Sequence, residues 1–332
     1  MKNYWLQSVV FAWMACLWLP SHAATLKIAT ILPDGTAAMQ AMRQGGKEIE
    51  TLTEGRVKFK FYPGGVMGND ASVMRKMRIG QLHGGAFTSG TMAELYSDAQ
   101  IYSLPFLVKS KAEVDYLRSK FDAEIFAGLE QAGLVPMGLA TGGFAYIMSQ
   151  APISSLADIQ GKKLWLPQGD KLVEIAIEEI GGNGVPLGLG DVYTGLQTGL
   201  IDTVGTSPVG AIALQWYTQV KYATDYPLGY LGGWLAIGAK AWRKLSPEDQ
   251  KIVREVWRDT YAKMDQATWD DLSNARAALE NNGVKFVSIS PDDIPNWLAA
   301  TERALARAGE AGAYNPATLQ RLRDELERFR AN

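Results

Sequence analysis

Ser246-Pro247-Glu248-Asp249 opens a run that meets no stop until Asn281-Asn282-Gly283, and this stretch decides the architecture. A serine before proline and two acids is a helix start. The hydroxyl caps the first turn, the N–H that proline lacks is not needed there, and the acids face the positive end of the helix dipole. Ile252, Val253, Val256 and Trp257 share one face. At ~1.5 Å per residue the helix is about 50 Å long, more than one lobe is wide. It is predicted to run as a spine along two lobes.

Upstream, strands and helices alternate. Strand Leu26 to Ile31, a Pro33-Asp34-Gly35 turn and a helix through Glu50 are followed by strand Val57 to Tyr62, Pro63-Gly64-Gly65 and a helix carrying Val73, Met74, Met77 and Ile79. A strand near Gly84 to Thr88, a segment Ser103 to Val108, a helix Ala112 to Gln131 and strand Leu134 to Leu139 continue the pattern. It restarts after strand Phe144 to Ser149 with strand Gly161 to Pro167, helix Lys171 to Ile180, strand Gly184 to Leu187, helix Asp191 to Thr198 and Leu200 to Thr206. Tyr230 to Ile237 reads as a strand returning to the first lobe. Such alternation predicts an α/β fold of two lobes, each a sheet covered by helices. The predicted divisions are a leader at 1–23, lobe I at 24–148, lobe II at 149–232, and at 233–332 the return strand, spine and C-terminal helices packing on both lobes.

The leader reading rests on Lys2, the apolar run Trp5 to Leu19 and the small residues of Ser21-His22-Ala23, which place cleavage after Ala23 and export to the periplasm. Cys16, the only cysteine, lies inside it, so the remainder is predicted to be free of disulfides and thiol chemistry. Outside the leader one histidine, His83, is left, which argues against His/Cys metal sites and Ser-His-Asp catalysis; no G-x-S-x-G elbow is present. Glycine clusters at 181–184 and 188–190 lack the Lys-Ser/Thr of a phosphate loop and read as turns. With 33 basic against 35 acidic residues and no basic run, nucleic acid is not an expected partner. No cofactor and no metal are expected, and a binding role rather than an enzymatic one follows.

Several segments together resemble a known family, the solute-binding subunits of tripartite ATP-independent periplasmic (TRAP) transporters of the dicarboxylate-binding type. They are Phe61-Tyr62-Pro63-Gly64-Gly65-Val66-Met67-Gly68, Leu104-Pro105-Phe106-Leu107, Gly161-Lys162-Lys163-Leu164-Trp165-Leu166-Pro167, the run Asp191 to Asp202, and Ala241 to Gln250. The resemblance implies the two-lobed periplasmic binding protein fold, closing on a ligand and delivering it to membrane permease subunits. It leaves room for an additional periplasmic partner.

Where this chain departs from the family pattern, the resemblance bears on substrate. A carboxylate-clamping arginine of the family aligns with Trp165, a second with Ala145, and a common asparagine with Ser207. Leu189 aligns with a position where relatives stack an aromatic ring. Asn69, Asp70, Phe87 and Thr88 stand where relatives place contacts in lobe I, and Trp234 is placed to line the hinge side. Strand alternation sets Lys163, Trp165 and Pro167 on one face. Each charge-assisted bond lost is worth ~1.5–3 kcal/mol, whereas burying ~150–250 Å² of aromatic surface supplies about 4–6 kcal/mol. The expected ligand is therefore uncharged, amphipathic or apolar, lipid-like molecules included. The alternatives are an organic acid held by lysine or backbone N–H groups and, more remotely, an exported hydrolase.

Overall fold

The computed structural model describes residues 23–331, so the expected leader and its cleavage site lie outside the described residues. Ten strands are β1 Ala24–Ala29, β2 Val57–Tyr62, β3 Gly84–Thr88, β4 Leu134–Ser149, β5 Lys163–Pro167, β6 Asn183–Leu187, β7 Thr203–Thr206, β8 Tyr222–Thr224, β9 Gly229–Gly238 and β10 Lys285–Val287. The α-helices are α1 Ala37–Leu52, α2 Asp70–Arg78, α3 Ser89–Ala93, α4 Lys111–Gln131, α5 Lys171–Glu179, α6 Val192–Gln197, α7 Pro208–Ala213, α8 Ala239–Trp242, α9 Pro247–Asn281, α10 Ile294–Glu310 and α11 Pro316–Ala331.

Strand order β2-β1-β3-β9-β4-β7-β5-β6 shows how the two lobes are joined. In lobe I, β1 lies parallel to β2 and β3, and β9 returns antiparallel between β3 and β4. In lobe II, β5 is parallel to β6 and β7. Strand β4 belongs to both. It pairs with β9 from Leu134 to Ala145 and then with β7 from Tyr146 to Ser149. Two separate strands were expected along this stretch. One continuous strand forms because the extra residues between them are absorbed as a bulge at Thr141–Gly143, where Gly143 takes φ +81°, a conformation open to glycine.

Ser246 caps α9 by accepting from Asp249 N at 3.0 Å, and the helix runs on to Asn281 as expected. Its first half buries Val253, Val256, Trp257 and Tyr261 against Ile28, Met42 and Leu235 of lobe I; near its end Leu279 enters the lobe II core beside Trp216 and Val204. A second strap follows. Trp297 of α10 packs with Ile147, Ile159 and Leu164, while Ala304 and Ala308 join the large lobe I cluster. Ser103 to Val108 does not extend the sheet: Pro105 lacks a donor and Phe106 sits at φ +55°, so the segment packs as irregular chain after a 3-10 turn. His83 lies beside β1, its Nδ1 accepting from Lys27 N at 3.0 Å.

Candidate functional site

The two lobes meet at the tips of their βα units. Asn69 caps α2 by accepting from Ser72 N at 3.1 Å, and its Nδ2 donates to Gln168 Oε1 of lobe II at 3.0 Å. A methyl group built on Gly188 of lobe II would lie 3.5 Å from Asn69 Cβ. One built on Gly90 would run into the Asp170 carboxylate, and one on Gly169 into that of Glu94. Bare glycine backbone at these points lets the lobes come together.

Lobe I contributes a connected set. Asp70 accepts from Thr88 N at 3.3 Å and from Thr91 Oγ1 at 2.7 Å, tying the start of α2 to the start of α3. Thr88 caps α3 through Thr91 N at 3.3 Å. Phe87 and Trp234 are register partners across β3 and β9 and both lie in the lobe core, at 3 % and 0 % exposure. Trp234 Nε1 donates to Ser89 Oγ at 3.1 Å, and that hydroxyl donates to Gly232 O at 3.2 Å. The structure thus ties Asn69, Asp70 and Thr88 together around the starts of α2 and α3, whereas Phe87 and Trp234 lie buried in the core of lobe I.

Lobe II contributes from beyond the strand crossover. Ala145 is buried on β4. On β7, Thr206 pairs with Tyr146, which sets Ser207 next to Ala145. Ser207 Oγ accepts from Gly210 N at 3.1 Å and caps α7. Trp165 is turned toward the lobe: it is 9 % exposed, stands edge-on to Trp216 at 5.1 Å between ring centroids, and donates from Nε1 to Leu187 O at 3.0 Å. Leu189 is half-buried in the 3-10 turn ahead of α6 and packs on the same cluster.

Charge separates the hinge from the mouth. At the bulge in β4, Arg118 of α4 binds Asp122 at 3.1 Å and Asp265 of α9 at 2.6 Å, and donates to Leu139 O at 3.0 Å. The other Asp265 oxygen accepts Thr141 N at 2.6 Å, the donor released by the bulge. On the far side of β4, Arg276 holds Asp225 at 2.6 Å and Glu280 at 3.2 Å. Both guanidinium groups beside the hinge strand are therefore committed to two carboxylates each.

The mouth carries carboxylates instead. Burial pushes Asp170 up to about 6, with the nearby Glu94 charge adding to it against the N–H bonds of Val173 and Leu172. Burial also raises Asp70 despite its bonds from Thr91 and Thr88. It raises Glu94, to which Asp70 adds repulsion and Arg78 some relief. Glu94, Gln168 and Asp170 were not legible as site residues. Asp170 announces itself only as a helix cap before Lys171, accepting from Val173 N at 3.1 Å.

With this geometry in place, the comparisons are specific. The family model "Bacterial extracellular solute-binding protein, family 7" matches residues 28–311. A solute-binding protein of Chromohalobacter salexigens is 28 % identical over 250 residues, 74 % of each chain. A TRAP periplasmic solute binding protein of Pseudomonas putida F1, solved with bound D-glucuronate, superposes at TM-score 0.81 with 25 % identity, covering 90 % of this chain and 96 % of that one. Another from Haemophilus influenzae, solved with bound L-gulonate, reaches 0.83 at 18 % identity over 91 % and 99 %. The relatives are transport binding proteins rather than enzymes. The chain belongs to family 7 of the bacterial extracellular solute-binding proteins.

Proposed function

We propose that this chain is the extracytoplasmic receptor of a TRAP transporter whose cleft takes an uncharged, amphipathic or apolar small molecule, and that it delivers this ligand to membrane permease subunits. The single observation that carries the ligand class is electrostatic. No arginine stands at Ala145 or Trp165, and Arg118 and Arg276, the guanidinium groups beside the hinge, are each held by two acids. An incoming carboxylate would have to displace one of them. It would also pass Asp70, Glu94 and Asp170, which already resist carrying their own charge. Trp165 and Leu189 supply apolar surface on the lobe II side, Trp165 as a rigid floor rather than as a free-standing wall. Asn69, Asp70 and Thr88 supply the polar contacts of lobe I. Closure requires only that the ligand bind the shut form better than the open one.

A second reading is favoured by the solved relatives: their bound D-glucuronate and L-gulonate are acids. On that reading an organic acid would be held here by backbone N–H groups at helix starts. Mass spectrometry of the small molecule released from natively purified protein separates the two. A neutral ligand is expected, and recovery of a uronate or dicarboxylate in stoichiometric amount would replace the first reading with the second.

A further inference from the structure

Lobe I carries an exposed apolar surface built from none of the candidate ligand contacts. Among the described residues the most exposed large apolar side chains are Val66 and Ile79, each 70 % exposed, and they flank one groove of about 570 Å³. Val66 is presented by the turn after β2, where Gly64 and Gly65 both take positive φ, and Ile79 by the end of α2. Lys76 fixes the turn by donating from Nζ to Met67 O at 2.8 Å. The groove is also lined by Arg75 and Arg78 and by no acid, in a chain whose formal net charge is −2.

We infer that this groove is the surface by which lobe I docks on the outward face of the permease; the inference rests on the delivery role proposed above. Aliphatic side chains held in water at this exposure, ringed by cations, fit a partner that offers an apolar knob with acidic neighbours. Integral membrane proteins concentrate Lys and Arg on the cytoplasmic side, which leaves their short outward loops poor in cations that would repel this patch. The same helix that ends at Ile79 begins at Asn69, which bonds Gln168 across the lobe contact, so a partner gripping one end of α2 holds the element that latches the other.

The experiment uses the full exported chain and its cognate membrane subunits in nanodiscs, beside empty nanodiscs of phosphatidylglycerol and phosphatidylethanolamine. Unchanged protein is expected to bind the loaded discs and not the empty ones. Val66→Glu and Ile79→Glu are each expected to weaken that binding by about tenfold or more, and Arg75→Glu by a few-fold with a shallower salt dependence. The thermal midpoint is expected to stay unchanged in all three, since these side chains are exposed. Loaded-disc binding that none of the substitutions weakens overturns the inference. So does equal binding to empty discs, which would make the patch a lipid contact, and so does binding to neither. Recovery of an acidic ligand would sink the ligand class alone, because these three side chains lie outside the cleft contacts.

Discussion

The hinge and the cleft mouth are built from the same residue types to opposite effect. At the hinge, Arg118, Asp122, Asp265 and the freed N–H of Thr141 satisfy one another within 3.1 Å, and the spine helix supplies one of the acids. At the mouth, Asp70, Glu94 and Asp170 gather where the lobes touch with no ion pair among the described residues, Arg78 giving Glu94 only some relief, and burial pushes all three upward. A network knit around one guanidinium holds one geometry, although two acids share that cation and burial raises Asp122 as well. A cluster that resists its own charge gives up free energy to close and recovers it on opening. The comparison teaches that the strand shared by the lobes is tied by ion pairs to α4 and the spine, while the lobe contact is made of carboxylates and bare glycine backbone.

The largest effects should come from the permanent side. Trp165→Ala removes a ring held by Trp216 and by Leu187 O, and a loss of about 3–5 kcal/mol in chemical denaturation is expected. If stability stays level while ligand affinity collapses, the indole is a wall of the site and not a floor beneath it. Arg118→Leu strands two carboxylates at the bulge. These side chains are about one-fifth exposed, so the loss should be nearer 2–3 kcal/mol than the full cost of breaking a buried pair. Domain motion should also broaden, which interlobe distance measurements by spin labels would record.

The mouth should respond to pH. Burial pushes Asp170 up to about 6 from its ordinary 3.8, so if opening the lobes returns it to water, the closed form holds the proton more tightly. Closure is thus fully favoured below about pH 4, weakens as pH rises to about 6, and is level beyond it. For a half-buried carboxylate, screening trims the effect to roughly tenfold in affinity. Calorimetry across that range should show the slope in unchanged protein and a shallower one in Asp170→Asn, whose amide still caps α5, with Asp70 and Glu94 leaving a remainder. An affinity that rises with pH would break the contrast between the two regions. Smallest of all, Asn69→Asp should weaken ligand binding only a few-fold by removing the donor to the exposed Gln168 while keeping the cap on α2.

The spine and the alternation of the two lobes were legible because each rests on local signals: the Ser246-Pro247 cap, the period of Val253, Val256 and Trp257, and the turn glycines. The continuity of β4 was not, since the bulge at Thr141–Gly143 is held by Asp265, 124 residues away in sequence. The site divides the same way. Trp165, Ala145 and Ser207 stood out because a resemblance marked the polar contacts they lack, yet side-chain alternation could not tell that the Trp165 indole would find Trp216 and Leu187 O within its own lobe. Glu94, Gln168 and Asp170 matter only through the meeting of lobes whose contact no local pattern encodes.

The most direct test is calorimetric titration of the emptied receptor with D-glucuronate at low ionic strength, where a cationic clamp would be at its strongest. With every guanidinium at the hinge already paired, no binding is expected below roughly millimolar concentrations. Saturable heat with a Kd of about a micromolar, abolished by high salt, would contradict a cleft without a free guanidinium.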